Sequence, residues 1–119
     1  MLQACGILED TTNDLAQEEY MVLIRDIFFC KPGKVRPMVD KFKKMKDIGA
    51  KHGLGKMRVM TDVSAERFWT VVTEFEVETV DAFMKMDMNA PGMKDMMDVM
   101  KDYHDFVDHG RREIYTIEG

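Results

Sequence analysis

Apolar and polar residues follow a strand-like pattern at the start of the folded part of the chain and a helical pattern immediately after it. Residues 21–30 form an apolar run rich in β-branched and aromatic side chains, which predicts a strand that is apolar on both faces. Pro32 and Gly33 break this run, and a helix is predicted over residues 34–52. The apolar stripe of that helix comprises Val35, Met38, Val39, Phe42, Met45, Ile48, Gly49 and His52.

The second half of the chain repeats the same strand-then-helix order. The predicted elements are strands at residues 56–61 and 67–77, a short helix at 79–88, a longer helix at 93–108 and a strand at 111–118. In the short helix, Val80, Phe83 and Met84 are expected to point inward. Asn89 is a candidate cap for the longer helix, and Gly110 is expected to end it. The apolar stripe of the longer helix comprises Met93, Met96, Met97, Met100, Tyr103, His104 and Val107.

The order β-α-β-β-α-β, with a broken second helix, predicts an α+β fold of the ferredoxin-like type. Such a fold has a four-stranded antiparallel sheet with helices on one face. The domain is expected to span residues 20–119 and to follow an acidic N-terminal tail at residues 1–19. The sheet face without helices would carry Leu23, Ile27, Phe29, Phe68 and Val72. Because this apolar patch would be large on a monomer, we expect a homodimer that buries sheet against sheet.

Composition indicates one soluble globular domain and excludes several other classes of protein. The 119 residues are 45% hydrophobic and 33% charged, which is inconsistent with disorder. A net charge of −5, without a basic stripe, does not favour a nucleic-acid partner. Two cysteines are too few for a disulfide scaffold. With no apolar run of membrane-spanning length and no signal-peptide pattern, a cytoplasmic protein is expected, without a membrane partner.

Asp26 is the first candidate for chemistry, because it lies in the middle of an apolar strand. A buried and unpaired carboxylate is costly there, so it requires either a polar pocket or a cationic partner. In a pocket it would act as a general base. As a structural residue it would pair with His52, with His104 or with an arginine of the fourth strand. The structural interpretation is the more frequent one in proteins and is favoured here.

Other candidates lie on faces that the predicted fold brings toward the helices. His104 and His52 would supply a second acid or base, or serve as hydrogen-bonded core residues. Four residues are candidate ligand-binding walls, and equally candidates for plain core packing: Trp69, Thr73, Phe75 and Tyr103. No histidine or cysteine has the spacing of a metal site, so no metal is expected. The methionines, thirteen in all, are typical of a core or of an adaptable pocket lining; a Cu(I) site is the less favoured alternative.

An apolar strand that ends in Lys31-Pro32-Gly33-Lys34 and opens a helix, followed by a long strand that runs into residues 78–83, resembles the dimeric α/β-barrel superfamily. That superfamily includes antibiotic-biosynthesis-type monooxygenases, NIPSNAP-like proteins and stress-responsive barrel proteins. The resemblance covers residues 20–118. It implies two sheets packed face to face, and a small-molecule cavity within each subunit between sheet and helices.

Haem-degrading members of the superfamily use an asparagine on the first strand, a tryptophan at the end of the third and a histidine on the next helical segment. By this resemblance the first two positions correspond to Asp26 and Phe75. No histidine occurs between Phe75 and Tyr103. These departures argue against haem degradation, and no cofactor is expected.

Two functions are compatible with these patterns. The first is a cofactor-independent enzyme of the monooxygenase or isomerase type, acting on a small apolar or aromatic molecule. In it, Asp26 would accept a proton and His104 or His52 would be the second acid or base. The second is a non-catalytic, NIPSNAP-like or stress-responsive dimeric module that binds a small ligand or a protein. Because no complete catalytic set is visible in the sequence, ligand binding is the favoured function.

Overall fold

The structure is a computed structural model that describes residues 21–53, 55–86 and 89–119. Its elements are β1 (Val22–Cys30), α1 (Val35–Lys51), β2 (Met57–Thr61), β3 (Thr70–Val77), α2 (Val80–Met84), α3 (Met93–Met100) and β4 (Val107–Thr116), with a 3₁₀ helix at Tyr103–Asp105. The strands form one antiparallel four-stranded sheet in the order β2-β3-β1-β4. The predicted α+β, ferredoxin-like fold is therefore confirmed. The predicted N-terminal tail lies outside the described residues.

The core lies between the sheet and α1. Met38, Val39 and Phe42 project from α1 onto Val71 of β3, and all four side chains are buried. The Phe28 ring of β1 packs against Phe42 at a centroid distance of 5.0 Å. The helices thus cover one face of the sheet, here called the inner face, and the opposite face is called the outer face.

A tight turn joins β1 to α1 and sets the crossover between them. The Lys34 N–H donates to the Lys31 carbonyl oxygen at 2.9 Å. Gly33 has φ +79°, a left-handed conformation that glycine adopts without a steric penalty. Pro32 stands beside it and cannot continue the strand ladder, because it has no N–H. The Lys-Pro-Gly-Lys sequence is therefore a structural device.

The third strand is shorter than predicted. It begins at Thr70, so residues 67–69 lie in a loop instead of in a strand starting at 67. Asp62 closes this loop, because its carboxylate accepts a hydrogen bond from the Thr70 N–H at 2.9 Å and its own N–H donates to the Thr70 carbonyl. Trp69 has φ +63°, which takes it out of the extended conformation. Phe68 lies in the same loop and not on a strand, so its predicted place on the outer face of the sheet is also wrong.

The last helix is much shorter than predicted, and the last strand longer. α3 ends at Met100 and β4 begins at Val107, so Gly110 lies inside a strand and does not end a helix. Pairing with β1 overrides the helical pattern, since the Lys31 N–H donates to the Phe106 carbonyl at 2.8 Å and Val107 pairs with Cys30. The α3 N-cap residue is Gly92 and not Asn89.

In α2, only one of the three residues predicted to point inward does so. The Phe83 ring packs against Phe75 at 5.7 Å. Val80 and Met84 are exposed. The short helix therefore covers the end of β3 with a single aromatic side chain.

Candidate functional site

A cavity of about 770 Å³ lies between the inner face of the sheet and the helices. Its size is within the range of small-molecule sites. β1 and β3 form its floor through Phe28 and Phe75, and α1 supplies Phe42. Tyr103 closes one side, with its ring 6.3 Å from that of Phe28. The walls are thus mostly apolar and aromatic.

Methionine is the most frequent residue type around this cavity. The lining methionines are Met45, Met57, Met86, Met93, Met96 and Met100. Their thioether side chains are unbranched and polarisable, so they adapt to ligands of irregular shape and make favourable contacts with aromatic rings. The predicted use of methionine as core or adaptable pocket lining agrees with this placement.

One polar row crosses the otherwise apolar inner face. Thr73 of β3, Asp26 of β1 and Arg112 of β4 are neighbours across the three strands, and this set is called the polar row. All three residues line the cavity. Apolar pockets typically carry a few polar groups of this kind, which fix the orientation of a ligand.

Asp26 and Arg112 form a bidentate ion pair within the polar row. Arg112 Nε donates to Asp26 Oδ1 at 2.6 Å and Nη2 donates to Oδ2 at 2.9 Å. The Asp26 side chain is 15% exposed, so a partner of opposite charge is needed to offset its desolvation. The hydrogen bond to Asp26 is the main reason that the pKa of Arg112 is raised, against the opposing effect of burial. Both oxygens of the Asp26 carboxylate are therefore occupied by the guanidinium.

The structure brings five of the seven sequence-predicted site residues to the cavity. These are Asp26, Thr73, Phe75, Tyr103 and His104. His104 lies in the 3₁₀ helix, not on a long helix stripe, and its ring lies 4.0 Å from that of Tyr103.

The other two predicted site residues lie elsewhere. Trp69 is in the loop before β3 and does not line the cavity, so its predicted position beside Thr73 and Phe75 is wrong. His52 is exposed at the end of α1, where its ring lies against Gly92, and it does not line the cavity either.

Arg112 is the functional candidate that sequence reasoning could identify only as an unspecified arginine of the fourth strand. Alternation along residues 111–118 places Arg112 and Ile114 on one face. That pattern does not determine which residue lies beside Asp26, because the register between β1 and β4 includes a shift at Phe29 and Cys30.

The outer face carries a network of charges. Arg25 Nε donates to Glu74 Oε2 at 2.7 Å, and Arg58 Nη2 donates to Glu74 Oε1. Burial raises the pKa of Glu74, but the hydrogen bonds from Arg25 and Arg58 outweigh burial and leave the pKa below its ordinary value. Arg25 also contacts Glu113 at 3.5 Å. Arg25 and Glu74 therefore form a cross-strand ion pair on this face.

The apolar patch predicted for the outer face is smaller than expected. Ile27 and Phe29 are buried within the monomer. The guanidinium groups of Arg67 and Arg111 lie 4.7 Å and 5.8 Å from the centre of the Phe29 ring and cover it. Met60 is 37% exposed and remains accessible on this face.

The part of the chain that the structure describes contains neither a metal-binding cluster nor a membrane-spanning helix. Within residues 21–53, 55–86 and 89–119, no three histidine, cysteine, aspartate or glutamate side chains are placed to hold a metal ion. In the same part of the chain, every helix is too short or too polar to cross a membrane.

No family model and no curated protein matches the sequence. Solved structures do match the fold. A NIPSNAP-like domain protein from Burkholderia xenovorans aligns with a TM-score of 0.62 at 12% identity, covering 83% of this chain and 86% of that chain. A NIPSNAP family protein from Agrobacterium tumefaciens gives 0.63 at 12% identity, over 82% and 86%.

A third match is a dimeric protein of unknown function with a ferredoxin-like fold from Bacteroides fragilis. It aligns with a TM-score of 0.59 at 14% identity and covers 82% of this chain and 96% of that one. Identities this low establish the fold alone. The predicted resemblance to NIPSNAP-like and other ferredoxin-like proteins is therefore confirmed at the level of the fold.

Proposed function

We propose that this protein is a homodimeric module in which each subunit binds a small apolar or aromatic molecule between sheet and helices, without transforming it. The observation that carries this proposal is the cavity of about 770 Å³, walled by methionine and aromatic side chains and crossed by one polar row. Apolar walls supply the burial that drives binding, and a few polar groups orient the ligand.

The dimer part of the proposal concerns the outer face. Val72 and Met60 are neighbours there and offer an apolar contact, flanked by the ion pairs of Glu74. An apolar centre with charged groups around it is the usual composition of a protein interface. One solved structure of the same fold is described as dimeric.

A cytoplasmic location belongs to the same proposal. Cys30 is a free and buried thiol, and burial raises its pKa. A thiol of this kind is unreactive and is typical of proteins from reducing compartments.

The alternative function is a cofactor-independent enzyme of the monooxygenase type. It is favoured by the presence of Asp26 and His104 at one cavity. It is opposed by the ion pair with Arg112, because a general base needs a free lone pair directed at the substrate proton. If the protein is such an enzyme, Asp26→Asn abolishes turnover of an identified substrate. If it is the binding module proposed above, the same substitution alters ligand binding only.

Filling the cavity tests the binding proposal. We expect Met96→Trp to weaken binding of a fluorescent aromatic anion, 1-anilinonaphthalene-8-sulfonate, at least about tenfold, because the indole occupies the space of the probe's rings. The measurement is a fluorescence titration on the full chain.

Met97→Trp is the matched control for this experiment. Met97 is the next residue of α3, is 53% exposed and does not line the cavity. Its substitution should leave the probe affinity within about twofold of that of the unaltered protein. Equal affinities for both variants, with both folded by circular dichroism, would exclude the cavity as the binding site.

A further inference from the structure

The ligand cavity has a cationic character, although the chain as a whole has a net charge of −5. Its lining includes the cationic residues Lys46, Lys56 and Arg112 and two acidic residues, Asp26 and Asp108; Arg111 also borders it, but its guanidinium lies on the outer face against Phe29. Lys46 and Lys56 are exposed and form no ion pair with any described residue. Their charges are therefore not compensated within the described part of the subunit.

Arg112 keeps hydrogen-bonding capacity that its partner does not use. A guanidinium has five N–H donors, and Asp26 accepts from Nε and Nη2 on one side of the group. The end of the guanidinium, with one N–H on each of Nη1 and Nη2, is left without a described partner. This pair of parallel donors matches the two oxygens of a carboxylate.

The position of Arg112 suits a ligand that is apolar apart from one carboxylate. The guanidinium lies 4.9 Å from the centre of the Phe83 ring, and both side chains line the cavity. An acid bound at Arg112 would have its carboxylate on the guanidinium and its apolar body along the methionine wall. Asp26 fixes the rotamer of Arg112, so less conformational entropy is lost when the ligand binds.

We infer that the ligand is an apolar carboxylic acid, bound as its anion, with the carboxylate on Arg112 and with Lys46 and Lys56 attracting it to the cavity. This inference rests on the proposed binding function and specifies its ligand class. The two lysines act at longer range by raising the local concentration of anions, an effect that salt weakens. A cationic ligand is disfavoured, since both oxygens of Asp26 are already bound.

A pair of probes with the same ring system tests the inference. The probes are 2-naphthoate and the neutral 2-naphthalenemethanol, titrated calorimetrically into the full chain at low ionic strength. We expect the acid to bind at least about tenfold tighter than the alcohol, because it forms charge-assisted hydrogen bonds with Arg112. Adding salt should reduce the acid's affinity and leave that of the alcohol nearly unchanged.

The double variant Asp26→Asn with Arg112→Gln removes the ion pair, keeps both side chains polar and conserves net charge. It should abolish the preference for the acid and retain binding of the alcohol. Arg36→Gln is the control, because Arg36 is exposed on α1 and does not line the cavity. If the double variant does not fold, Lys46→Gln with Lys56→Gln provides a second test, in which the acid should lose several-fold in affinity at low salt.

The outcomes separate this inference from the proposed function. Equal affinity for acid and alcohol in the unaltered protein would overturn the inference and leave the binding function standing. An acid preference that persists in the double variant would overturn the role of Arg112. If neither probe binds the unaltered protein, while 1-anilinonaphthalene-8-sulfonate also fails to bind, the binding function and the inference fall together.

Discussion

Glu74 places a carboxylate in the middle of the outer face with only 7% of its side chain exposed. Two arginines of neighbouring strands hold it: Arg25 is its cross-strand neighbour on β1 and Arg58 on β2. Removing a buried acceptor of charge-assisted hydrogen bonds leaves its donors with weaker partners. We therefore expect Glu74→Gln to lower the free energy of unfolding by about 1–2 kcal/mol at neutral pH, measured by urea denaturation.

The pH dependence of this contribution follows from the direction of the pKa shift. The pKa of Glu74 in the folded protein lies below its ordinary value of 4.5, so the unfolded chain binds the proton more tightly. The stabilisation is present above that ordinary value and is lost as the pH falls through the folded-state pKa. As the pH falls below about 4.5, the free energy of unfolding should therefore decrease less in the Glu74→Gln variant than in the unaltered protein. Glu76→Gln, on the same face of β3 but exposed, should behave like the unaltered protein at every pH.

The sequence predicts that Asp26 needs a partner, but it does not predict which residue that partner is. Its position in an apolar strand is visible in the sequence, and the cost of an unpaired buried charge requires a partner. The choice among His52, His104 and an arginine depends on register and on where the last helix ends. Those two facts come from pairing over long sequence distances, which no local pattern encodes.

Among the helices and strands, the wrongly predicted bounds lie where pairing between distant strands overrides the local pattern of apolar residues. Residues 101–108 have a helical spacing of apolar positions, yet Val107 is more stable as a strand partner of Cys30. Residues 67–69 have strand-forming side chains, yet the hydrogen bonds of Asp62 close them into a loop. The first strand and first helix were predictable because the Lys-Pro-Gly-Lys turn marks the boundary between them.

Gly110 offers a test of the reassigned fourth strand. A Cβ atom at this position would lie 2.5 Å from the backbone carbonyl oxygen of Ile27, where neither strand can yield without breaking pairing. We expect Gly110→Ala to cost about 1–3 kcal/mol of unfolding free energy, measured by urea denaturation. If Gly110 followed a helix, as the sequence pattern predicts, the cost would be near 1 kcal/mol or less. Thr116→Ala, at the exposed end of β4, is the control and should change stability by less than about 0.5 kcal/mol.

At the scale of the whole molecule, the sheet separates two surfaces with different chemistry. The inner face and its helices enclose an apolar cavity with one ion pair on its floor. The outer face carries the charge network around Glu74 and the apolar pair of Val72 and Met60. Under the proposed function, the ligand binds on one side of the sheet and the partner subunit on the other.

This separation predicts that dimerisation and ligand binding can be altered independently. Met60→Asp introduces a carboxylate where Met60 is 37% exposed in the monomer, so the subunit should fold but the proposed interface should weaken about tenfold or more. Met97→Asp, on the exposed side of α3, should leave the dimer intact.

Sedimentation velocity at micromolar concentration measures the mass of each variant, and titration with 1-anilinonaphthalene-8-sulfonate measures the probe affinity of its cavity. A monomeric unaltered protein would refute the dimer, whereas probe affinity lost together with the dimer would show that each cavity requires the partner subunit. Probe affinity retained by a monomeric Met60→Asp variant is the expected result, because the sheet and helices of one subunit wall the cavity on the side opposite Met60.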